Sequence, residues 1–346
     1  MSFKKNIFAF SFLLVTGCWL LVTLSGCSPS YPKEKFKESI IKICKQEYKL
    51  DVKVATTEKT VAVYVPLTDL IDFTFAITKS ASEKINDVIL TVSRVALSTD
   101  AKYDFYCVIA HDIRMPEIQI VIIKSVDDVK RFLLSDISRG EYSKRMLIDI
   151  RFSPQAQKER AIKDVFDKMS LDPKWQEQVM NDFFRAEPSG LADIGYWNDR
   201  FYIKDISLSE FVADQIASRI RMQFREDKAL SELFFLKLSK GSFVSRDKKK
   251  FFKFEILAET KLGAETFGAK TETEGTPVIL AEDSKKIFRT VIDAANDTIH
   301  GYKFTDFDYI EVLNQKDHIV IRVSRQNLDL LRKKKISFED VLKQSF

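Results

Sequence analysis

The chain has 346 residues, enough for about two domains at roughly 150 residues each. Its 45% hydrophobic and 30% charged content describes a globular chain and excludes a disordered or fibrous one. The formal charge of +5, which falls to +3 once residues 1–26 with Lys4 and Lys5 are removed, is too small to point to nucleic acid.

Lys4 and Lys5 precede a largely apolar run from Ile7 to Leu24, which ends in Leu24-Ser25-Gly26-Cys27. A cationic start, an apolar stretch and small residues before a cut site form the layout of an export signal. The last four residues resemble the lipobox of bacterial lipoprotein precursors, in which the chain is cut before a cysteine whose thiol takes diacylglycerol. The resemblance covers about the first 30 residues and implies a signal peptide at 1–26, cleavage between Gly26 and Cys27, and lipidation of Cys27. The rival reading is an uncleaved anchor, because the run of 18 residues approaches the ~20 needed to span a bilayer. Val15-Thr16-Gly17-Cys18 has the same form, but cutting there would leave Trp19-Leu20-Leu21 as an apolar mature end. Residues 27–32 then serve as a short tether. By the same resemblance, a non-acidic Ser28 implies the periplasmic face of the outer membrane where the cell has two membranes.

Beyond the tether, Phe36, Ile40, Cys44 and Tyr48 recur every four positions and predict an amphipathic helix. Alternating runs at 50–55 and 60–65 predict a hairpin, followed by a helix at 82–97, strands at 103–110 and 118–123, and a helix from 126 to about 137. A helical segment is expected around 155–186, then a loop at 187–199 that carries Tyr196-Trp197, read as a domain-interface plug before a binding platform. Ser207 and Glu210 form a capping-box signature that opens a helix striped by Leu208, Val212, Ile216, Ile220 and Phe224. Strands at 233–238 and 251–257 follow, then a polar excursion or long hairpin tip at 258–276 and an edge strand at 277–280. A helix at 285–299, strands at 309–313 and 319–323, and a helix to about residue 342 complete the chain. Ser125 precedes Ile137-Ser138, and Ser324 precedes Ile336-Ser337, by the same 12 residues. The expected class is therefore α+β, with antiparallel hairpin sheets and packed helices. It is arranged as two related α-ββ-α-ββ-α modules at 33–150 and 205–346, joined by a helical connector and loop at 151–204.

With Cys27 lipidated, Cys44 and Cys107 remain, and two readings stay open: a disulfide between them or two buried thiols. The ten glycines include no Gly-x-Gly, so a dinucleotide fingerprint, a phosphate loop and a nucleophile elbow are all absent as motifs. His111, His300 and His318 lack the paired spacing of helix-borne zinc sites, so no metal or cofactor is expected. Asp69 with Asp72, and Trp197 with Asp199, are the nearest approach to a glycosidase-like arrangement, and surface acids far outnumber catalytic ones. The basic runs Lys248-Lys249-Lys250 and Arg332-Lys333-Lys334-Lys335 read as solvated faces before contacts with anionic lipid headgroups. No catalytic residue is assigned. The expectation is a lipid-anchored envelope protein, held to the membrane through its N-terminal lipid, that binds a protein or envelope component without catalysis. An envelope hydrolase with scattered carboxylates and a carrier of an apolar ligand are the alternatives, and no nucleic-acid partner is expected.

Overall fold

The computed structural model describes residues 30–72, 74, 76–115, 118–152, 172, 191, 194–197, 199–261 and 282–345. Gly26 and Cys27, nearly all of the expected 155–186 helix and the expected strand at 277–280 lie outside the described residues. Among the described residues no helix is long and apolar enough to cross a membrane.

Helix α1 (Phe36–Tyr48) buries Phe36, Ile40 and Cys44 completely, as their spacing requires, and Lys49 closes it in the left-handed region at φ 59°. β1 (Lys53–Thr56) and β2 (Thr60–Leu67) form the first hairpin. α2 (Lys79–Leu97) starts at its cap Thr78, whose hydroxyl accepts from the Ala81 N–H. It leads to β3 (Phe105–Asp112) and β4 (Ile118–Ser125). The single helix expected over 126–137 is divided: α3 (Val126–Leu133) is capped by Ser125, and α4 (Arg139–Lys144) by Ser138, with Ser135 left-handed at φ 60° between them. Residues 147–152, with no expected element, form β5 (Leu147–Phe152) beside β4. The expected loop before the second module contains a small hairpin, β6 (Gly195–Trp197) and β7 (Arg200–Tyr202).

The capping box of Ser207 and Glu210 opens α5 (Leu208–Glu226), and a short α6 (Lys228–Leu233) follows. β8 (Phe234–Arg246) and β9 (Lys249–Thr260) are far longer than expected. Asp247 and Lys248, at φ 52° and 63°, make the two-residue turn with both φ positive that suits strand twist. Gly241 of β8 hid the extension in sequence. It is required there because an added Cβ would collide with the Ala213 carbonyl of α5, which lies directly on the strand. α7 (Glu282–Gly301), β10 (Tyr309–Asn314), β11 (Ile319–Ser324), α8 (Arg325–Arg332) and α9 (Phe338–Lys343) complete the described elements.

The architecture is α+β, with sheets ordered β1-β2-β3-β4-β5 and β11-β10-β9-β8. Every hairpin is antiparallel, yet the middle pairs β2/β3 and β9/β10 are parallel. A helix joins the strands of each middle pair, and only such a crossover returns the chain in the same direction. Strands β1–β4 and β8–β11 thus share order and pairing sense, with β5 added to the first sheet. The same bonds recur at their joints. Asp104 N–H donates to the Lys59 carbonyl at 2.9 Å and Asp308 N–H to the Lys250 carbonyl at 2.8 Å, while Val126 and Arg325 N–H reach Asp104 and Asp308 carbonyls at 2.9 Å each. Lys334, at φ 54° between α8 and α9, stands where Ser135 stands between α3 and α4.

One face of the first sheet is covered by α1, α2 and α3 through Val61, Val63, Tyr106 and Val108. Its other face is covered as well: Ala62, Phe105, Cys107 and Ile109 pack on Ile194, Tyr196, Ile206 and Phe211. With both faces covered, β3 and β4 are buried at nearly every position, where a half-exposed strand would alternate. The second core mixes phenylalanine with isoleucine and valine, with Phe252, Phe254 and Phe288 fully buried. Cys44 and Cys107 do not pair. Successive strand residues face opposite sides, so Cys107 joins the connector-side cluster while Cys44 joins the helix-side cluster, with the sheet between them. Burial pushes the Cys44 thiol up to about 11.

Candidate functional site

Three polar constellations stand out, and their chemistry differs. The first joins helices beside the first sheet to the end of α7. Arg145, just past α4 and 3% exposed, places Nη1 at 2.7 Å from Asp128 Oδ1 and Nε at 2.8 Å from Glu141 Oε1. Its Nη2 donates to the Gly301 carbonyl at 2.9 Å, and its guanidinium lies 4.4 Å from the Tyr302 ring centre. Tyr302 donates to Asp128 Oδ2 at 3.0 Å, Arg219 Nη2 meets Glu141 Oε1 at 2.7 Å, and Arg131 Nη1 adds a second bond to the Gly301 carbonyl at 3.0 Å. Two guanidinium groups thus sit on the last carbonyl of α7, where the helix dipole favours cations. Although burial opposes it, the two arginines hold the Glu141 carboxyl below its ordinary value. Both acids here are paired with guanidinium groups, so the cluster serves as a joint between elements.

The second constellation pins the β6–β7 hairpin to the first sheet. Tyr196 stacks on Tyr64 at 3.8 Å, accepts a hydrogen bond from Lys53 Nζ at 2.7 Å and donates to Asp199 Oδ1 at 2.9 Å. Lys53 also meets Asp199 at 2.7 Å, and Gln119 donates to the Tyr196 carbonyl at 3.0 Å. Burial raises both tyrosines, which keeps the phenols protonated. Asp199 is therefore part of a clamp. Asp69 and Asp72 are similarly occupied: the first accepts from Lys84 at 3.1 Å, and the second folds its own loop by accepting from the Thr74 and Ala76 N–H groups at 2.7 and 3.1 Å.

The histidines are not brought together. His111 lies at the end of β3 with its ring 5.7 Å from Tyr64, His300 is in the last turn of α7, and His318 sits left-handed in the turn before β11. Among the described residues no group of three or more His, Cys, Asp or Glu is placed to hold a metal ion.

The third constellation is open. Between α7 and the α8–α9 turn runs a groove of about 1000 Å³, with Leu331, Ile336 and Phe338 as its apolar part and Arg289, Asp293, Asp297 and Lys335 among its charges. Arg289 lies 3.8 Å from Asp293 and Arg332 lies 3.4 Å from Asp297, both looser than the joint. A smaller recess of about 220 Å³ adjoins it at Asn296 and reaches Phe304, Phe307, Leu328, His300 and Arg325. Mixed charge around an apolar strip suits binding rather than proton transfer.

Buried Lys124 and partly buried Asp214 also escaped the sequence reading. Lys124, 5% exposed on β4, holds Nζ 3.5 Å above the Tyr142 ring, and burial pushes its ammonium down to about 8. Asp214 on α5 is pushed up to about 6 by burial, with Asp149 and Glu210 adding to the effect. The available signal for Lys124 was a lysine inside the otherwise apolar strand Ile118–Ser125. Neither a protein-family model, nor a curated protein, nor a solved structure matches this chain.

Proposed function

We propose that this protein is exported, held at a bacterial membrane by lipid on Cys27, and acts without catalysis as a two-module body that binds a protein or envelope component. Where the cell has two membranes, the reading places it on the periplasmic face of the outer one. The address rests on the Lys4-Lys5 start, the apolar run and Leu24-Ser25-Gly26-Cys27. The binding role is carried by the open groove beside α7, whose charges are loosely paired where those of the joint are closely paired. The common strand order and the matching caps at Ser125/Ser324 and Ser138/Ser337 support reading the modules as copies of one α-ββ-α-ββ-α unit.

Radiolabelled palmitate should enter the full chain and fail to enter a Cys27→Ala variant; an unlabelled wild type would remove the address. A photocrosslinking residue at exposed Glu339, on the groove rim, should give one discrete adduct in intact cells. If adducts form equally well from exposed Lys37 on α1, the groove is not the binding site.

A further inference from the structure

The two inter-helix turns beside α7 differ sharply in composition. The α3–α4 turn presents Leu133 and Leu134, 64% and 80% exposed. The matching α8–α9 turn presents Arg332, Lys333, Lys334 and Lys335, all exposed. Both are fastened to one flank of α7. Arg332 reaches Asp297, and Arg131, two residues before Leu133, donates to the Gly301 carbonyl. Asp297 and the closing carbonyl at Gly301 are four residues apart, about 6 Å along the axis, so both turns meet the C-terminal end of α7. Of the neighbouring acids, Asp136, Asp297 and Asp293 are paired with Arg131, Arg332 and Arg289, Asp340 caps its own helix with Ser337, and Glu339 stands on the same groove rim. Among the described residues no acid lies within ion-pair distance of Lys333, Lys334 or Lys335.

Exposed leucines near a turn of three lysines outside any ion pair match the two layers of a bilayer interface, where apolar side chains enter the acyl boundary and cations meet phosphates. We propose that this flank of α7 rests on an anionic phospholipid surface, with Leu133 and Leu134 entering the headgroup region and Arg332–Lys335 lying over the phosphates. The inference deepens the binding role by naming anionic phospholipid as the envelope component, and it rests on that reading only for the compartment.

Hydrogen exchange resolved by peptide tests it on the full chain mixed with vesicles. Vesicles containing phosphatidylglycerol should protect segments 131–136 and 330–337, whereas pure phosphatidylcholine should not. With Lys333→Gln, Lys334→Asn and Lys335→Gln together, the vesicle concentration for half-protection should rise roughly a hundredfold, at about fivefold per surface cation. A Leu133→Ser, Leu134→Ser variant should lose protection at 131–136 while keeping it at 330–337. Equal exchange with both lipids, or the same protection without vesicles at high protein concentration, would overturn the proposal, the latter by assigning the flank to a second copy. Palmitate label without protection would sink this flank and leave the address intact; protection without label would do the reverse.

Discussion

Lys124 gives a prediction whose size follows from its surroundings. Its ammonium is enclosed against Tyr142, which itself stacks on Phe132 at 4.5 Å, and burial lowers it from 10.5 to about 8. That fall corresponds to roughly 3 kcal/mol of folding free energy. For a lysine with a depressed folded value, the cost is fully present below about pH 8 and disappears as pH rises toward 10.5. Lys124→Met keeps the volume and removes the charge, while forfeiting a cation–π contact worth about 1 kcal/mol. Urea unfolding should therefore show the variant more stable than wild type by about 2 kcal/mol at pH 7. By pH 9.5 the gap should shrink by about 2 kcal/mol, because wild type regains more than half of the charging cost. A gap that stays constant between pH 7 and pH 9.5 would refute the reasoning, since the lysine would then not titrate in that window.

Other outcomes follow from the same physics. Arg145→Met leaves buried Asp128 without its guanidinium partner, while Glu141 keeps Arg219, and should cost roughly 3–5 kcal/mol, read by denaturant unfolding together with faster exchange around residue 301. Gly241→Ala sets a methyl against the Ala213 carbonyl and should cost about 1–3 kcal/mol by the same unfolding measurement, while an alanine at Gly140, which is open, should not. Asp214 has a raised folded value, so it lowers stability as pH climbs from about 4 to 6; Asp214→Asn should flatten that slope and stabilise the protein at pH 7 by about 2 kcal/mol, measured by thermal unfolding across that range.

What was legible in sequence was local. The i,i+4 stripe of Phe36, Ile40 and Cys44, the Ser207/Glu210 box and the alternation of Phe252, Phe254 and Ile256 each report a nearby period, and each element formed where the period lay. The parallel middle pairs were not legible, because a strand's direction depends on the whole crossover and not on its own residues. Nor was the joint: Asp128, Glu141, Arg145 and Arg219 are ordinary charges until α4, α5 and α7 meet. The Cys44 and Cys107 positions were each read correctly as inward, but β3 has two insides, and nothing local says which one a residue faces.

The matched turns at Ser135 and Lys334 put Asn327 where the first module has Asp128, and Gln344 where it has Arg145. These two still meet, with Asn327 Nδ2 donating to Gln344 Oε1 at 2.9 Å. An amide pair carries no guanidinium to grasp the end of an incoming helix. The fastening that holds one half against the other is thus written in charge a single time, and a further unit offering the same helix end at the far side would find no matching grip. Head-to-tail growth into an open filament through this contact is thereby disfavoured.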